Sequence, residues 1–511
     1  MTTQIPSPPS PAGSDKLDRQ LLVVAGVVVL GAIMSILDIT VVSVAQPKFQ
    51  QVFEASPAQV AWTMTGYTLA LASVIPLTGW AADRFGTKRL YMLALLLFTA
   101  GSVLCAAANS IEMLTAFRVL QGLGGGMLMP LGMTIMTRAA GPERIGRVMA
   151  VLGVPMLLGP IFGPILGGWL IDIASWHWIF LINLPIGAAA LVYAAVVLPA
   201  DSPTPSESFD FVGMLLISPG LALFLFGVSS IPEEGTVWSS KVLVSAVIGL
   251  ALVAVFVLRT LFRSPEHPLM DLRLFRHRAL SVAVIAMSLF AVAFFGASLL
   301  FPSYFLQVRG ETTLHAGLLL APQGFGAMLT MPAAGVLTDR IGPGKIVLAG
   351  IATIVVGMAM FTQVGVETSY TYLLTALFVM GLGMGGTMMP IMTSALQSLQ
   401  DHEIARGSTL MNITQQVAAS IGTALFSVLL TNGFNASGAV GQLRAAQEAG
   451  EPPADPSILP AALMDMADSF AGAFVVATVL VALCLVPAFL LPRRKTTRPD
   501  NDQAAAATLL H

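Results

Sequence analysis

Long apolar segments are the feature that most limits what this sequence can fold into. A helix needs about 20 mostly apolar residues to cross the hydrocarbon core of a bilayer, and fourteen segments of the chain meet that requirement. Only 10% of the 511 residues are charged, against about 25% in an ordinary soluble domain. Since so few charges cannot cover a water-exposed surface, we predict an all-α membrane protein with fourteen transmembrane helices.

The predicted spans form a group of six, a pair and a second group of six. The first group covers residues 21–46, 59–81, 90–108, 111–137, 148–173 and 179–198. The pair covers residues 211–229 and 242–260, and the last group covers residues 279–307, 314–338, 346–366, 370–396, 405–430 and 470–491. The acidic, proline-containing segment 431–469 is predicted to be a loop, and both chain ends are predicted to be disordered.

The distribution of positive charge predicts the orientation of the chain. With the amino terminus in the cytoplasm, 20 of the 25 Lys and Arg residues fall on the cytoplasmic side, and one, Arg118, remains inside a span. The four on the outer side are Lys48, Lys241, Arg309 and Arg444. We therefore predict that both termini are cytoplasmic. The predicted units are a cytoplasmic start (1–20), a first six-helix bundle (21–198), an insertion of two helices (199–278), a second six-helix bundle (279–491) and a cytoplasmic tail (492–511).

The composition argues against several classes of function. The 25 Lys and Arg residues nearly balance the 27 Asp and Glu residues, so charge gives no reason to expect nucleic acid as a partner. Cys105 and Cys484 lie far apart in apolar segments and predict neither a disulfide nor a metal site. No motif of a catalytic site is present, and the glycine run 122–126 lacks the Lys-Ser/Thr of a phosphate loop. We expect neither an enzyme nor an ATP-driven pump, and a channel remains an alternative.

A short sequence pattern occurs twice, 256 residues apart. The first copy, after the second span, contains Gly79, Asp83, Arg84, Gly86, Lys88 and Arg89, and the second copy, after the tenth span, contains Gly335, Asp339, Arg340 and Gly342. Eight spans separate the copies, which equals one six-helix unit plus two additional helices, and parallel six-helix repeats are a transporter architecture. The charges of these cytoplasmic loops are predicted to bridge helix ends and to favour one conformation, as a latch. Solvated charges that only set the topology are the alternative.

Asp38 is the only carboxylate deep in a predicted span, and Arg118 is the only cation there. A charged Asp at a helix centre costs about 2.5–3.5 kcal/mol on insertion scales, and protonation removes that cost. Both residues lie roughly 10–12 Å from the outer ends of their spans. Since the two charges have opposite signs and equal depth, we predict that they interact, directly or through water, and that Asp38 exchanges protons. The alternatives are an Asp38 that cross-links helices without titrating and an Arg118 bonded to backbone carbonyl groups.

The fifth span carries a run of glycines and prolines, namely Gly159, Pro160, Gly163, Pro164, Gly167 and Gly168. The glycines at positions 159, 163 and 167 recur every fourth residue and therefore share one helix face. Small faces let helix backbones approach closely, and the prolines remove backbone hydrogen bonds. We predict a sealed, pliable contact between the two halves of the protein, and tight packing alone is the alternative.

Polar and aromatic side chains within spans are candidates for the wall of a substrate cavity. The thirteenth span carries a polar stripe at helical spacing, formed by Asn412, Gln416, Ser420 and Thr423. In the second span, Trp62 and Tyr67 offer aromatic surface to a flat or cationic ligand. Hydrogen bonds between helices and aromatic rings that face lipid are the alternatives.

These motifs resemble those of the major facilitator superfamily. The Gly-x-x-x-Asp-Arg-x-Gly-x-Lys-Arg pattern after the second span is similar to its signature loop, and residues 159–168 (GPIFGPILGG) are similar to its antiporter motif. Residues 37–47 (LDITVVSVAQP) and 176–185 (WHWIFLINLP) resemble the fourteen-spanner drug/proton antiporter branch, although His177 stands where that branch usually has Arg. The resemblance extends over about residues 21–491.

The resemblance implies a secondary active exporter of amphipathic, often cationic, compounds that works by alternating access of two six-helix bundles. It implies the proton gradient as the source of energy, with no bound cofactor and no metal. We expect the lipid bilayer, protons and a small amphipathic substrate as partners, no nucleic acid, and a monomer in a bacterial inner membrane. The same fold exporting lipids or a metabolite remains the alternative.

Overall fold

The structure is a computed structural model that describes residues 19–141, 144–200, 209–234, 236–263, 269–400, 402–449 and 455–493. In these ranges the regular structure is helical, without a strand. The predicted disordered ends, 1–20 and 492–511, lie almost wholly outside the described residues.

The long helices are labelled α1 to α14 in chain order. The first six are α1 (Arg19–Val52), α2 (Pro57–Phe85), α3 (Thr87–Ala106), α4 (Ile111–Ala140), α5 (Ile145–Ile173) and α6 (Asn183–Val197). Two more follow as α7 (Phe211–Ser229) and α8 (Ser240–Arg263). The last six are α9 (Arg278–Phe290), α10 (Ala321–Ile341), α11 (Pro343–Met360), α12 (Tyr370–Gly385), α13 (Ile404–Ala436) and α14 (Ile458–Leu483).

Shorter helical segments precede, follow or continue these helices. Ala291–Phe295, a π-helical turn, and Leu300–Gln307 continue α9, and Met388–Gln397 continues α12. The others are Trp178–Leu181, Ile231–Glu234, Leu272–Arg276, Thr313–Leu319, Phe361–Gln363, Gly438–Ala449 and Leu485–Leu490.

Twelve helices among the described residues are long and apolar enough to cross a membrane. The helices α5 and α10 lie at the fifth and tenth predicted spans but are not among these twelve. The seventh predicted span forms the continuous helix α7 even though Pro219 interrupts its apolar sequence. The fold is therefore all-helical with about twelve candidate spans.

The prediction of a loop over residues 431–469 is wrong. The helix α13 continues to Ala436, a helix covers Gly438–Ala449, and α14 begins at Ile458. The segment is acidic and polar, which lowers its hydropathy, but it is rich in alanine, which has the highest helix propensity of all residues. The helices α13 and α14 therefore extend beyond the apolar segments from which the spans 405–430 and 470–491 were predicted.

The helices pack as two bundles with a pair beside them. The helices α1 to α6 contact one another, the helices α9 to α14 contact one another, and the bundles meet where α5 lies against α10 and α2 against α13. Between the bundles in sequence, α7 and α8 form a close pair that packs along α2. Apolar side chains on α8 are strongly exposed, for example Leu261 at 60% and Phe262 at 82%, which suits a helix that faces lipid.

The two copies of the repeated pattern take the same backbone conformation. Gly86 joins α2 to α3 with φ of 93°, and Gly342 joins α10 to α11 with φ of 88°. Their N–H groups donate to the carbonyl oxygens of Ala82 and Thr338, each at 3.0 Å. Glycine adopts positive φ without steric cost, so each predicted loop is in fact a helix end followed by a one-residue turn.

Candidate functional site

Asp38 on α1 and Arg118 on α4 are in direct contact. The Nη1 atom of Arg118 lies 2.5 Å from Oδ2 of Asp38, and both side chains are fully buried. The two helices run in opposite directions, so Asp38 in the second half of α1 and Arg118 in the first half of α4 lie at the same level. The structure therefore joins the two buried charges that the sequence marked as equal in depth and opposite in sign.

Gln121, three residues after Arg118 on the same face of α4, closes a ring of hydrogen bonds around this pair. Its Oε1 accepts from Nη1 of Arg118 at 2.7 Å, and its Nε2 donates to Oδ1 of Asp38 at 2.7 Å. The amide thus bridges the cation and the anion and holds both in one arrangement. Bonds of this kind, in which a partner is ionised, are about twice as strong as neutral ones.

The guanidinium of Arg118 makes further contacts inside its own bundle. Its Nε donates to the backbone oxygen of Thr63 at 3.2 Å, and its Cζ lies 4.1 Å from the centre of the Tyr67 ring. The alternative that Arg118 binds backbone carbonyl groups is therefore also present in the structure, beside the pair with Asp38. Its Nη2 is buried without a hydrogen-bond partner among the described residues.

A second chain of polar groups reaches Asp38 from α6. The Nδ2 of Asn183, the first residue of α6, lies 3.4 Å from Oδ1 of Asp38 and donates to Oγ of Ser102 at 3.0 Å. Ser102 in turn donates to the backbone oxygen of Phe180 at 2.9 Å. Sequence reasoning missed Gln121, Asn183 and Ser102, although Asn183 lies in the segment that carries the resemblance.

Asp83 at the end of α2 connects the two bundles. Its carboxylate lies 3.5 Å from Nη2 of Arg138 on α4 and 3.4 Å from Nε of Arg406, which belongs to α13 in the second bundle. Gly79 leaves room for this approach, because a Cβ added there would lie 3.2 Å from Cα of Arg406.

Asp339 at the end of α10 makes the equivalent connection in the other direction. Its Oδ1 accepts from the N–H of Gly146 at 2.8 Å, and its Oδ2 lies 3.3 Å from Nε of Arg147. Both partners begin α5 in the first bundle, where the helix dipole favours a negative charge. Gly335 lies against this turn, since an added Cβ would come within 2.9 Å of the Gly146 oxygen.

Another charged residue of the repeated pattern contacts the end of a different helix. Lys88 donates from Nζ to the backbone oxygens of Ala195 and Leu198, both at 2.7 Å, and so binds the end of α6. Arg84 is half-buried, and Arg89 and Arg340 are exposed.

The glycine face of α5 packs against α1 and not against the second bundle, so the prediction of a contact between halves is wrong for this face. Gly163 faces Thr40, Gly167 faces Val41, and the oxygen of Gly159 accepts from Oγ1 of Thr40 at 3.2 Å. The spacing of four defines a face but not its partner.

The residues of α1 that contact the glycine face lie within one helical turn of Asp38. The helix α5 meets α10 through residues nearer its start, where Gly153 contacts Met331. The side chains of Pro160 and Pro164 lie outside the described set, and Gly168 has no neighbour within 4 Å of its Cβ position.

The aromatic candidates for a substrate cavity lie in different surroundings. Trp62 is 45% exposed and stacks on Phe226 of α7, with ring centres 5.5 Å apart. Tyr67 is buried at 1% exposure, and its hydroxyl lies 3.4 Å from Oγ of Ser35. Tyr67 therefore belongs to the surroundings of the buried charge pair.

The polar stripe of α13 also divides between two places. Asn412 lies against α4, with Nδ2 3.2 Å from Sδ of Met133, whereas Gln416 lines a small cavity between α2, α7 and α13. Ser420 donates to the backbone oxygen of Gln416 at 3.0 Å, and Thr423 is exposed and donates to that of Ala419. The stripe forms one helix face by its spacing, and Asn412 and Gln416 lie in different surroundings along that face.

Known proteins match this chain over most of its length. The family model of the Major Facilitator Superfamily matches residues 28–423. The "Multidrug resistance protein B homolog" of Mycobacterium tuberculosis is 51% identical over 96% of this chain and 95% of that protein. The "Multidrug export protein EmrB" of Haemophilus influenzae is 33% identical over 79% of each chain.

Solved structures share the fold at low sequence identity. The human organic anion transporter MFSD10 (TETRAN) aligns with a TM-score of 0.57 and 17% identity, over 91% of this chain and 100% of that one. The proton:xylose symporter XylE aligns with a TM-score of 0.55 and 14% identity, over 91% and 96%. The chain is therefore a multi-pass membrane protein of the major facilitator superfamily, a family of transporters and not of enzymes, with close relatives named for multidrug resistance.

Proposed function

We propose that this protein exports amphipathic or cationic compounds in exchange for protons, by alternating access. The observation that carries the proposal is the fully buried ion pair between Asp38 and Arg118. An ionisable residue inside the membrane marks a functional site by default, and a carboxylate that a proton can neutralise is suited to coupling. The names of the relatives support the substrate class, since two of them are named for multidrug resistance or export.

Proton binding to Asp38 opens the pair. While the carboxylate is ionised, Arg118 and the amide of Gln121 hold it in place. A proton removes the negative charge, and the loss of one partner from a buried pair costs about 3–5 kcal/mol. The arrangement around Arg118 then becomes unfavourable, so a proton taken from the outside drives the change of conformation. Release of that proton to the cytoplasm, as substrate binds, restores the pair.

Asp83 and Asp339 act as a two-part latch on the cytoplasmic side. Each carboxylate joins a helix of one bundle to a helix of the other, through Arg406 and through the start of α5. In this conformation the latch holds the cytoplasmic ends together, and rocking of the bundles breaks both connections. Since the two acids are related by the internal repeat, the bundles are held symmetrically.

In the proposed topology, the chain crosses the membrane fourteen times. The helices α5 and α10 have 29 and 21 residues and lie against each other between the bundles, and we include both as crossings. An even number keeps both termini in the cytoplasm, where most of the Lys and Arg residues then lie. The two bundles comprise residues 21–198 and 279–491, with α7 and α8 inserted, in a monomer in the inner membrane of a bacterium.

Transport into proteoliposomes with an imposed pH gradient tests this function. The wild-type protein is expected to concentrate a cationic dye uphill only while the gradient exists, and Asp38→Asn is expected to abolish uphill transport. The matched control is Asp468→Asn, which replaces an exposed carboxylate on α14 and should transport normally. Uphill transport by Asp38→Asn at the wild-type rate would refute proton coupling through this site, and movement of lipids alone would refute the substrate class.

A further inference from the structure

A layer of methionines lies between the two bundles. Met133 of α4 and Met149 of α5 meet methionines from the second bundle, and the side chains on both sides are buried at 5% exposure or less, namely Met133, Met149, Met331, Met388, Met389 and Met392. Five of them line one narrow cleft together with the buried Leu152 and the half-buried Met129, Asn412 and Gln415. We call these six methionines, together with Met129, the methionine layer.

The methionine layer lies between the buried charge pair and the cytoplasmic latch. Met133 follows Arg118 by fifteen residues on α4, which is about 22 Å of helix. Met331 precedes Asp339 by eight residues on α10, which is about 12 Å. A compound that enters between the bundles from the cytoplasmic side must therefore pass this layer before it reaches the level of the charge pair.

We propose that the methionine layer is a binding surface for the apolar, aromatic body of the exported compound once the bundles separate on the cytoplasmic side. This inference rests on the proposed function. A methionine side chain has three rotatable bonds and a polarisable sulfur, and its contact with an aromatic ring is worth about 0.3–1.5 kcal/mol. Seven such side chains form a surface that reshapes itself around molecules of different outline.

The chemistry of the cleft defines what it recognises. None of its lining residues is charged, and Asn412 and Gln415 supply its only polar side chains. The layer therefore does not select for a positive charge, and it accepts neutral and cationic compounds that share a flat or ring-containing apolar body. A static seal is better made by leucine and isoleucine, whose rotamers are better defined than those of methionine.

Cysteine substitution on both sides of the layer tests the proposal. Met133→Cys and Met392→Cys place one thiol on each bundle, and Met464→Cys, at a position 56% exposed on α14, is the matched control. The native Cys105 and Cys484 are fully buried and give a low background. Each variant is labelled with a membrane-permeant maleimide in proteoliposomes, with and without tetraphenylphosphonium.

Tetraphenylphosphonium is expected to slow labelling at positions 133 and 392 at least fivefold and to leave position 464 unchanged. Unchanged labelling at both layer positions, in protein that still transports tetraphenylphosphonium, would overturn the proposal and leave the layer as a seal. Failure of proton-driven transport in the wild-type protein is a separate result, because it refutes the proposed function without reference to the layer.

A volume-conserving variant gives a second readout that does not depend on new thiols. Met388→Leu combined with Met392→Leu keeps the side chains apolar and similar in volume, a change that cores tolerate well. The KM for a bulky aromatic cation is expected to rise at least threefold, while the KM for a compact cation changes little. An equal change for both substrates would contradict a binding role, because a seal affects every substrate alike.

Discussion

Replacing one member of the Asp38–Arg118 pair leaves the other charge buried without its partner. Both side chains are fully buried, with 2.5 Å between Nη1 and Oδ2. Removal of one partner from a buried pair costs about 3–5 kcal/mol, and two unit charges about 4 Å apart attract by about 4 kcal/mol at an effective dielectric constant of about 20. Near neutral pH we expect Asp38→Asn or Arg118→Gln to lower the free energy of unfolding by about 3–5 kcal/mol. The double variant should lose about 3–4 kcal/mol less than the sum of the losses in the two single variants.

The two single variants should respond differently to pH. In Arg118→Gln the remaining group is a carboxylate, which binds a proton as the pH falls and so loses its buried charge. The destabilisation of this variant should therefore shrink at lower pH. In Asp38→Asn the remaining guanidinium keeps its proton throughout the working range, so its destabilisation should not shrink.

Denaturant titration in mixed micelles, followed by thiol labelling, measures these free energies. Cys105 and Cys484 are both fully buried, so they react only when the helices separate. Asp468→Asn, which replaces an exposed carboxylate, is the control and should match the wild-type protein. The pairing would be refuted if the loss of unfolding free energy in the double variant equalled the sum of the two single losses to within about 0.5 kcal/mol. It would also be refuted if Asp38→Asn regained stability at low pH.

Three further substitutions test other parts of the account. Gly163→Val should abolish transport while insertion persists, because the added atoms meet α1 beside Asp38, whereas Gly168→Ala, with no neighbour within 4 Å, should transport normally. Asp339→Asn removes charged hydrogen bonds worth about 1.5–3 kcal/mol each, so when it is combined with Met133→Cys, labelling of that thiol from the cytoplasmic side should speed up about tenfold or more. Glu311 lies outside the predicted spans, and the hydroxyl of Tyr370 donates to it and lowers the pKa of that carboxyl. Glu311 therefore contributes stability above its ordinary pKa that is lost as the pH falls through the lowered value, and Glu311→Gln should flatten that part of the curve of melting temperature against pH.

The charge pair and the repeat could be predicted because they depend on few residues with strong physical constraints. A lone Asp38 and a lone Arg118 in apolar segments are each costly, and their equal predicted depth marked each residue as a partner for the other. Gly86 and Gly342 were visible as a repeated pattern, and positive φ explains why both positions hold glycine. The amide of Gln121 could not be recognised in this way, since an uncharged amide in a span is less costly and has many possible partners.

Helix partners and helix ends were harder to predict. Glycines at 159, 163 and 167 define a face of α5, but periodicity does not say which helix covers it, and the structure places α1 there. The segment from residue 431 to residue 469 shows a related difficulty, because hydropathy detects the part of a helix that lies in lipid and not its continuation into water. Both outcomes depend on tertiary packing, which a single sequence does not contain.

Proton release by the purified protein on addition of substrate tests the coupling of cargo to Asp38 most directly. In a weakly buffered detergent solution, addition of a cationic substrate to the wild-type protein should acidify the medium. Asp38→Asn should bind the same substrate and release no proton. Equal release from the wild-type and Asp38→Asn proteins would contradict the account, because the exchanged proton would then come from another group.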